Sequence, residues 1–309
     1  MSYKYQIGIF GGDTRQAYMA ALFSAKGYPT AVCRTPVEVV PGSFASLPSL
    51  EELFQSCRIL IGPIPFTRDQ VTIYTSSIAG SAAPSPLLPE DMTVEHAAGL
   101  LTEGHLLFGG VLPPSIIKAC ETKGIFFHDL MKDERIAILN AIATAEGTIM
   151  EAIAGSDRNL HGSKCLVLGY GRCARVLAAK LKAMDAHVLA AARSAEAVAY
   201  AEAAGLSSLF LPYIKCVLPS CDFIFNTIPA PVLTPDCLDY VDKHACIIDI
   251  ASAPGGVDFT YAAKLGLNAR LCLGLPGKVA PRTSSDILVT AIDSVIKQQA
   301  EKTKSVLDV

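Results

Sequence analysis

Residues 164–174 read KCLVLGYGRCA, an apolar run that ends on two glycines and leads into a helical pattern. The spacing is G-x-G-x-x-A, in which Gly169 suits a tight turn and Gly171 lets backbone N–H groups approach a pyrophosphate. Ala174 keeps the helix close to the strand, and the N-terminus of the helix attracts phosphates. A glycine turn that binds nothing is the plainer alternative, but a second strand, HVLAAA, follows in order. We therefore predict a Rossmann dinucleotide site. Its predicted contacts here are Gly169, Tyr170, Gly171, Arg172 and Cys173.

The tip of that second strand bears on which nicotinamide dinucleotide is bound. An NAD site normally carries Asp or Glu there, which accepts hydrogen bonds from the ribose hydroxyls. Here the strand ends in Arg193 and Ser194, and the nearest acid is Glu196. A guanidinium and a hydroxyl suit a 2′-phosphate, whereas an acid would repel it. The sequence favours NADP over NAD, unless Arg193 is a solvated loop arginine.

Two later strands should end at the same edge of the sheet. They are DFIFNTIP (222–229) and ACIIDIAS (245–252). Open parallel sheets hold ligands at the carboxyl ends of their strands, so the residues at these ends are candidate cofactor contacts. The contacts predicted there are Asn226, Thr227, Ile228, Pro229, Asp249 and Ala251.

The first half of the chain also begins with a strand that ends on glycines, IGIFGGDTRQ (7–16). Its glycines are adjacent, and the second strand, TAVCR (30–34), ends without a residue to read a ribose. We therefore assign Gly11 and Gly12 to a tight turn and Asp13 to a helix cap, on the substrate side of the protein. Strands that alternate with helical patterns predict an α/β fold. We expect two domains joined by a long helix, a C-terminal Rossmann NAD(P)-binding domain and an N-terminal Rossmann- or flavodoxin-like α/β domain.

The predicted boundaries are an N-terminal domain at 1–132, a connector helix at 133–158, a Rossmann domain at 159–283 and a C-terminal helix at 284–309. Asp133 suits the N-cap of the connector, whose large apolar residues fall on one broad stripe. The stripe consists of Ile136, Leu139, Ile142, Ala143, Ile149, Met150 and Ile153. The C-terminal helix is expected to pack on the first domain, although it could equally seal a dimer, so a homo-oligomer is possible. Residues 76–91, rich in Ser, Ala and Pro, are predicted to be a loop.

Composition excludes several classes of protein. Of 309 residues, 51% are hydrophobic and 18% charged, which is typical of a globular chain, and a net charge of −3 gives no support for a nucleic-acid or membrane partner. No stretch looks apolar enough to span a bilayer, and no leader precedes the first strand, so a cytoplasmic protein is expected. The ten cysteines are scattered without a C-x-x-C pair, which predicts buried thiols and no metal site.

An NADP-binding domain beside a second α/β domain first suggests a 2-hydroxyacid dehydrogenase. Such an enzyme needs an Arg after the fifth strand for the substrate carboxylate and a His before the last helix for the hydroxyl proton. The sequence has ASAPGG (251–256) at the first position and no histidine between Leu271 and Arg282. That reaction is therefore not expected.

Six motifs occur in an order that resembles the dipicolinate synthase A subunits of spore-forming bacteria. They are GGDTRQ, RIAILNAIATAEGTIMEAI, HGSKCLVLGYGR, FNTIPAPVL, IIDIASAPGGVDF and LCLGLPGKVAPRT. The resemblance covers nearly the whole chain and is strongest from Asp133 to Thr283. Two departures concern substrate contacts: Ala253 stands where the pattern can carry a basic residue, and Ser284-Ser285 stands where Ala-Gly is usual.

The resemblance implies a reaction and a partner. A dihydrodipicolinate would be oxidised to dipicolinate (pyridine-2,6-dicarboxylate) during sporulation, with hydride passed to NADP, and a flavoprotein-like B subunit would assist. The mother cell would be the location. An NADP-binding regulatory or scaffold subunit without turnover, and another NADP-dependent dehydrogenase of a small carboxylate, are the alternatives.

A dicarboxylate substrate needs cations or hydrogen-bond donors at both ends. The candidate substrate contacts are Arg15, Asp13, Thr144, Ser252, Arg282 and Thr283, with Arg135 as a further cation. The candidate catalytic residues are Glu146, Asn140 and Lys278. Asn140 and Thr144 are four residues apart and therefore share a face of the connector. The proton acceptor is left open among Glu146, Asp13 and His128.

Overall fold

The computed structural model describes residues 3–37, 40, 42–76 and 91–307, with side chains as far as residue 302. The predicted loop at 76–91 lies almost wholly outside the described residues. The chain divides into two compact units, Met1–Ala137 with Pro281–Val309, and Ile138–Ala280. The finer division into a connector and a separate C-terminal segment stays a prediction.

A parallel sheet forms the centre of the first unit. Its strands are β1 (Tyr5–Phe10), β2 (Thr30–Cys33), β3 (Ala45–Ser46), β4 (Cys57–Ile61), β5 (Leu106–Gly109) and β6 (Phe126–Asp129). Within the described residues their order is β3-β2-β1-β4-β5-β6, and every neighbouring pair is parallel. Helices cover both faces of such a sheet, which is why the strands are nearly continuous apolar runs. The order reverses between β1 and β4, as in a Rossmann fold.

The first helices follow the strands in alternation. They are α1 (Thr14–Ala25), α2 (Leu50–Ser56), α3 (Val94–Leu100), α4 (Pro114–Thr122) and α5 (Glu134–Ala154). The turn before α1 needs two residues with positive φ, +60° at Gly11 and +85° at Gly12, which glycine supplies at little cost. Asp13 then caps α1 in a capping box with Gln16, so this prediction is confirmed.

The second unit repeats this topology. Its strands are β7 (Lys164–Leu168), β8 (His187–Ala192), β9 (Ser207–Phe210), β10 (Phe223–Asn226), β11 (Cys246–Asp249) and β12 (Asn268–Leu271). In the part of the chain that the structure describes, their order is β12-β11-β10-β7-β8-β9, again all parallel. Its helices are α6 (Arg172–Ala183), α7 (Ala195–Ala203), α8 (Pro235–Leu238), α9 (Phe259–Lys264) and α10 (Leu275–Val279). The predicted pair of parallel α/β domains is confirmed.

Helix α5 is oriented differently from what its apolar stripe suggests. The side that packs into the second unit carries small residues, among them Ala145, Gly147 and Ala152, because they let the helix approach closely. A Cβ on Gly147 would lie 3.1 Å from the Cβ of Leu275. Three of the six large residues of the stripe, Ile142, Met150 and Ile153, are exposed instead. The same helix is long and apolar enough to cross a bilayer, so the expectation that no segment reaches that length was wrong. In this structure 39% of its most apolar 18-residue window is buried.

The last helix, α11 (Pro281–Leu307), belongs to the first unit and begins three residues earlier than predicted, because proline suits the first helical position. Leu288 and Ile292 lie in the core beside strand β1. Asp293 accepts hydrogen bonds from Tyr28, Lys26 and Lys297. Burial alone would raise the pKa of Asp293, but these donors outweigh it and hold that pKa below its usual value. The same hydrogen bond, with burial, raises the pKa of Tyr28 to about 12.

We expect Tyr28→Phe to lower the free energy of unfolding by about 1–2 kcal/mol at pH 7, because a hydrogen bond to a carboxylate is lost. The folded pKa of Tyr28 is raised, so its contribution is full below the usual tyrosine pKa of 10.0 and disappears as pH rises through about 12. Urea unfolding at pH 7 and pH 11 should show the gap between wild type and variant shrink with pH. The exposed Tyr213→Phe serves as control. A gap of constant size would contradict the assignment.

Candidate functional site: a dinucleotide loop at the carboxyl edge of the second sheet

The two glycines of the loop between β7 and α6 have different neighbours. Gly169 has φ +95°, and a Cβ added there would lie 2.5 Å from Thr227 Oγ1, so only glycine fits its own surroundings. Gly171 has an ordinary φ of −84°, and a Cβ there would meet no heavy atom within 4 Å. The packing of the protein therefore does not require glycine at 171. The open space above it leaves the backbone accessible to a ligand.

The other residues of the loop, from Tyr170 to Ala174, differ in their exposure and in their contacts with neighbouring residues. Tyr170 is buried, and its carbonyl accepts a hydrogen bond from Arg175 Nε at 3.1 Å. Arg172 is exposed in the first turn of α6. Cys173 is partly buried against Thr144, and burial raises the pKa of its thiol, so it is not an activated nucleophile. Ala174 is fully buried at the base of α6, as the close packing of helix and strand requires.

Arg193 and Ser194 lie at the carboxyl end of β8, and both are exposed. Ser194 Oγ accepts a hydrogen bond from the Ala197 backbone N–H at 3.2 Å and so caps α7, which leaves its O–H able to donate. The Arg193 side chain has no hydrogen-bond or ion-pair partner among the described residues. Its charge is therefore available at the strand tip, where the cofactor ribose is expected.

A hydrogen bond between the side chains of Asn226 and Asp249 joins the ends of β10 and β11, and we call this pair the strand-end clasp. Both are fully buried, and Asn226 Nδ2 donates to Asp249 Oδ1 at 2.8 Å. Asn226 also bonds the backbone of Ile228 through both ends of its amide. Asp249 accepts from the backbone N–H groups of Ala251 and Gly256, each at 2.9 Å. Their side chains thus hold the two turns of this edge rather than projecting from it.

The other residues predicted at this edge differ in access. Thr227 Oγ1 donates to the Leu168 carbonyl at 2.8 Å and so ties β10 to β7. Ile228 is partly buried, Ala251 is buried, and Pro229 and Ser252 are exposed. Their roles as cofactor or substrate contacts stay predictions.

A polar ladder runs along α5 in the second unit. Thr144 Oγ1 donates to the Asn140 carbonyl at 2.9 Å, and Thr148 Oγ1 donates to the Thr144 carbonyl at 2.7 Å. Asn140 is nine-tenths buried, yet its side-chain oxygen has no hydrogen-bond partner within the described residues. An unpaired buried acceptor is costly, so this oxygen fits a site that a ligand or water completes.

Glu146 and Lys278 lie at the surface. Glu146 accepts a hydrogen bond from Lys180 at 2.9 Å, and its side chain is more than half exposed. Lys180 lies eight residues beyond the start of α6, away from the glycine loop. Lys278 is exposed in α10. The position of Glu146 does not favour its use as a base near the cofactor, and both catalytic roles stay predictions.

In the first unit, Arg15 and Asp13 are already paired. Arg15 is 7% exposed and donates from Nε at 2.9 Å and from an Nη at 2.8 Å to the two carboxylate oxygens of Asp13. It also donates to the Ile64 carbonyl. A substrate carboxylate at Arg15 would have to compete with these acceptors. The proposed clamp at Arg15 therefore stays a prediction, and the structure shows a buried ion pair that fixes the start of α1.

The remaining candidates of this unit are near helix starts. Arg282 and Thr283 are exposed at the start of α11, whereas Ser284 and Ser285 are buried. Ser285 Oγ donates to the Arg15 carbonyl at 2.9 Å, so this buried hydroxyl has a partner. Arg135 is exposed in the first turn of α5, where Asp133 Oδ1 caps the helix as predicted. His128 Nε2 is 4.0 Å from Asp133 Oδ2.

Sequence reasoning missed two positioning residues. Gln16 is fully buried, and its side-chain oxygen accepts from the Asp13 N–H at 2.9 Å. The D-x-x-Q spacing of a capping box was a usable signal for it. Arg175 lies over the rings of Tyr170 and Tyr200, and no local pattern indicated that contact.

The glycine loop, the strand-end clasp and the topology define a class, a dehydrogenase-type oxidoreductase with a Rossmann domain for a nicotinamide cofactor. A family model described as the N-terminal domain of the dipicolinate synthase A subunit matches residues 6–131. A second, the NAD-binding domain of D-isomer specific 2-hydroxyacid dehydrogenases, matches residues 135–253. The chain is 34% identical over 248 residues to the dipicolinate synthase A subunit of Bacillus subtilis (strain 168), covering 79% of this chain and 84% of that protein. It belongs to the family of dipicolinate synthase A subunits, as the motifs predicted.

Solved structures agree with this assignment. The crystal structure of the dipicolinate synthase A chain from Bacillus subtilis superposes with a TM-score of 0.81 at 28% identity, covering 97% of this chain and 99% of that one. The corresponding dipicolinate synthase structure from Bacillus halodurans gives a TM-score of 0.82 at 30% identity, with 96% and 98% covered.

The two loop glycines allow a direct test of the site. Gly171→Ala should lower the free energy of unfolding by less than about 1 kcal/mol, because its Cβ meets only open space. It should weaken binding of the nicotinamide dinucleotide about tenfold or more, because the methyl group would stand where we expect the pyrophosphate to approach the backbone. Gly169→Ala should lower the unfolding free energy by about 1–3 kcal/mol. Urea unfolding and calorimetric NADP titration measure both effects. Wild-type affinity in Gly171→Ala would rule out a pyrophosphate at this loop.

Proposed function

We propose that this chain is an NADP-dependent dehydrogenase subunit that oxidises dihydrodipicolinate to dipicolinate. The observation that carries the proposal is the combination of an open glycine loop with an unpartnered arginine at the tip of β8. The substrate class rests on the relatives, which are named as A subunits of dipicolinate synthase. That designation supports a second subunit, which we propose to be flavoprotein-like.

The residues present fit a nicotinamide dinucleotide. Gly171 and the first turn of α6 would face the pyrophosphate with backbone N–H groups. Arg193 and the Ser194 hydroxyl would hold a 2′-phosphate, since both can donate hydrogen bonds to it. Asn226 and Asp249 would not touch the cofactor directly. They would hold the turns after β10 and β11, which we expect to lie beside the nicotinamide. When bound, the cofactor supplies a hydride acceptor.

Oxidation of the dihydropyridine ring removes a hydride and one proton, and the gain of aromaticity drives it. The protein must place a ring carbon correctly and take up the proton. Among the three candidate bases, Glu146 is paired with Lys180 and Asp13 with Arg15. His128 Nε2 is buried without a hydrogen-bond partner among the described residues, although Asp133 Oδ2 lies 4.0 Å away. We therefore place His128 first among them.

The substrate carboxylates need donors that the fold has not already engaged. Arg282 and Thr283 at the start of α11 and Lys278 in α10 are exposed. Arg15 is less suited because Asp13 and Ile64 already occupy its guanidinium. We propose that the reaction takes place in the mother-cell cytoplasm of a sporulating bacterium, as for the family that the motifs resemble.

The test is turnover with both cofactors. Purified chain, NADP and freshly generated dihydrodipicolinate should give rising absorbance at the reduced-nicotinamide band. Arg193→Asp should lower kcat/KM for NADP roughly 10- to 100-fold, because a charge-assisted bond is lost and a like charge is added. The value for NAD should stay level or rise. Lys118→Glu, exposed on α4, makes the same change in net charge and should change neither value.

Three results would count against the proposal. Unchanged NADP preference in Arg193→Asp would remove the assignment of that residue. Cofactor binding without any reduction, whether or not the flavoprotein-like partner is added, would favour a regulatory or scaffold role. Reduction with a different small carboxylate but not with dihydrodipicolinate would change the substrate.

A further inference from the structure

Arg175, in the first turn of α6, makes hydrogen bonds to two successive carbonyl groups of the dinucleotide loop. Its Nε donates to the Tyr170 carbonyl at 3.1 Å, and its backbone N–H donates to the Gly171 carbonyl at 3.0 Å. The backbone bond is the ordinary first bond of an α-helix, which any residue except proline makes. The bond to Tyr170 needs the side chain. The side chain of residue 175 therefore holds the peptide group between residues 170 and 171.

The orientation of this peptide group determines where the Gly171 N–H points. The peptide bond is trans, and the C=O and N–H of a trans peptide point in opposite directions. Because the Tyr170 carbonyl is turned toward Arg175, the Gly171 N–H points away from that side chain. It has no hydrogen-bond acceptor among the described residues. An N–H group left unpaired at the start of a helix is a donor for an anion.

Gly171 itself does little to hold the peptide group in this orientation. A Cβ at this position would meet no heavy atom within 4 Å, and glycine adopts backbone conformations that other residues avoid. Without the bond from Arg175, the peptide group could rotate and turn the Tyr170 carbonyl toward a bound ligand. A carbonyl oxygen repels a phosphate, whereas an N–H group attracts it. The orientation seen here is therefore the one that suits a pyrophosphate.

Two tyrosine rings restrict the guanidinium of Arg175 in turn. Its Cζ lies 4.3 Å from the centroid of the Tyr200 ring and 5.6 Å from that of the Tyr170 ring. A planar guanidinium stacks favourably on an aromatic face. Tyr200 lies on α7 and is 49% exposed, so its contact with Arg175 gives a reason for a large ring at this surface. The guanidinium thus joins α6, α7 and the dinucleotide loop.

We propose that Arg175 is a positioning residue of the cofactor site. It holds the Tyr170 carbonyl so that the Gly171 N–H faces the pyrophosphate, and Tyr200 keeps the Arg175 guanidinium in place. This role rests on the proposed function in one respect, that a nicotinamide dinucleotide binds at the loop. It is independent of the choice between NAD and NADP and of the substrate, and it requires no contact between Arg175 and the cofactor.

Calorimetric titration of the full chain with NAD and NADP tests this role. Arg175→Met should weaken binding of both about tenfold, because the N–H that donates to a charged oxygen is no longer held in place. Arg175→Lys keeps the charge but loses the planar group and its Nε donor, so it should recover little of the affinity. Lys182→Met, two turns further along α6, is the matched control and should bind like the wild type. It loses the same charge, but its hydrogen bonds go to the Ala204 and Gly205 carbonyls.

Two further comparisons separate positioning from the effect of charge alone. Tyr200→Ala should weaken binding about three- to fivefold, whereas Tyr200→Phe, which keeps the ring, should bind like the wild type. Gly171→Ala already obstructs the pyrophosphate, so adding Arg175→Met to it should weaken binding by less than about twofold more. An attraction between the Arg175 charge and the phosphates would instead weaken binding equally in both backgrounds.

The outcomes distinguish this role from the proposed function. Wild-type affinity in Arg175→Met or Arg175→Lys, or additive effects in the double variant, would overturn the role of Arg175 alone. Wild-type affinity in Tyr200→Ala would overturn the part assigned to Tyr200. A wild-type protein that binds neither dinucleotide would overturn the proposed function as well. Arg175 and Tyr200 are exposed, so circular dichroism and thermal unfolding of their variants should match the wild type. Weaker binding found only together with partial unfolding would also contradict a positioning role.

Discussion

A hydrogen bond between two fully buried side chains, Asn226 Nδ2 and Asp249 Oδ1, fixes the ligand edge of the second unit. A buried carboxylate is tolerated only when donors satisfy it, and Asp249 receives the Asn226 amide and two backbone N–H groups. The clasp shapes the turns after β10 and β11. Thr227, next to Asn226, bonds the Leu168 carbonyl and thereby stands over residue 169, which must be glycine. The Asn226–Asp249 bond and the contact that requires glycine at 169 thus lie at the same edge of the sheet.

The two units have the same order of strands, but the glycine turns after their first strands differ in what surrounds them. At Gly11 and Gly12 the turn is filled by other parts of the same chain. The Gly12 N–H donates a hydrogen bond to the Tyr74 carbonyl, and the Gln16 side chain packs against Gly12. At Gly171 the described chain provides nothing within 4 Å of a Cβ. Of these two glycine turns, the one at Gly11 and Gly12 is therefore covered by the protein's own residues. The one at Gly171 has space beside its backbone for a ligand.

Local patterns predicted the elements well and the burial of side chains less well. Strand and helix alternation, the Asp133 and Asp13 caps and the G-x-G-x-x-A loop all depend on neighbouring residues, and they were confirmed. The orientation of α5 could not be read from its stripe, because small residues facing the sheet outweighed the apolar periodicity. The bond between Asn226 and Asp249 joins residues 23 apart, and the bond from Arg15 to the Ile64 carbonyl joins residues 49 apart, so no local pattern reveals them.

We propose that the dinucleotide binds the second unit and that most of the candidate donors for the substrate carboxylates lie in the first. Amide hydrogen exchange with and without NADP tests this assignment most directly. The account predicts slower exchange at residues 169–175 and 193–197 on NADP addition, with no change at residues 11–16. Protection of residues 11–16 without protection of 169–175 would contradict it.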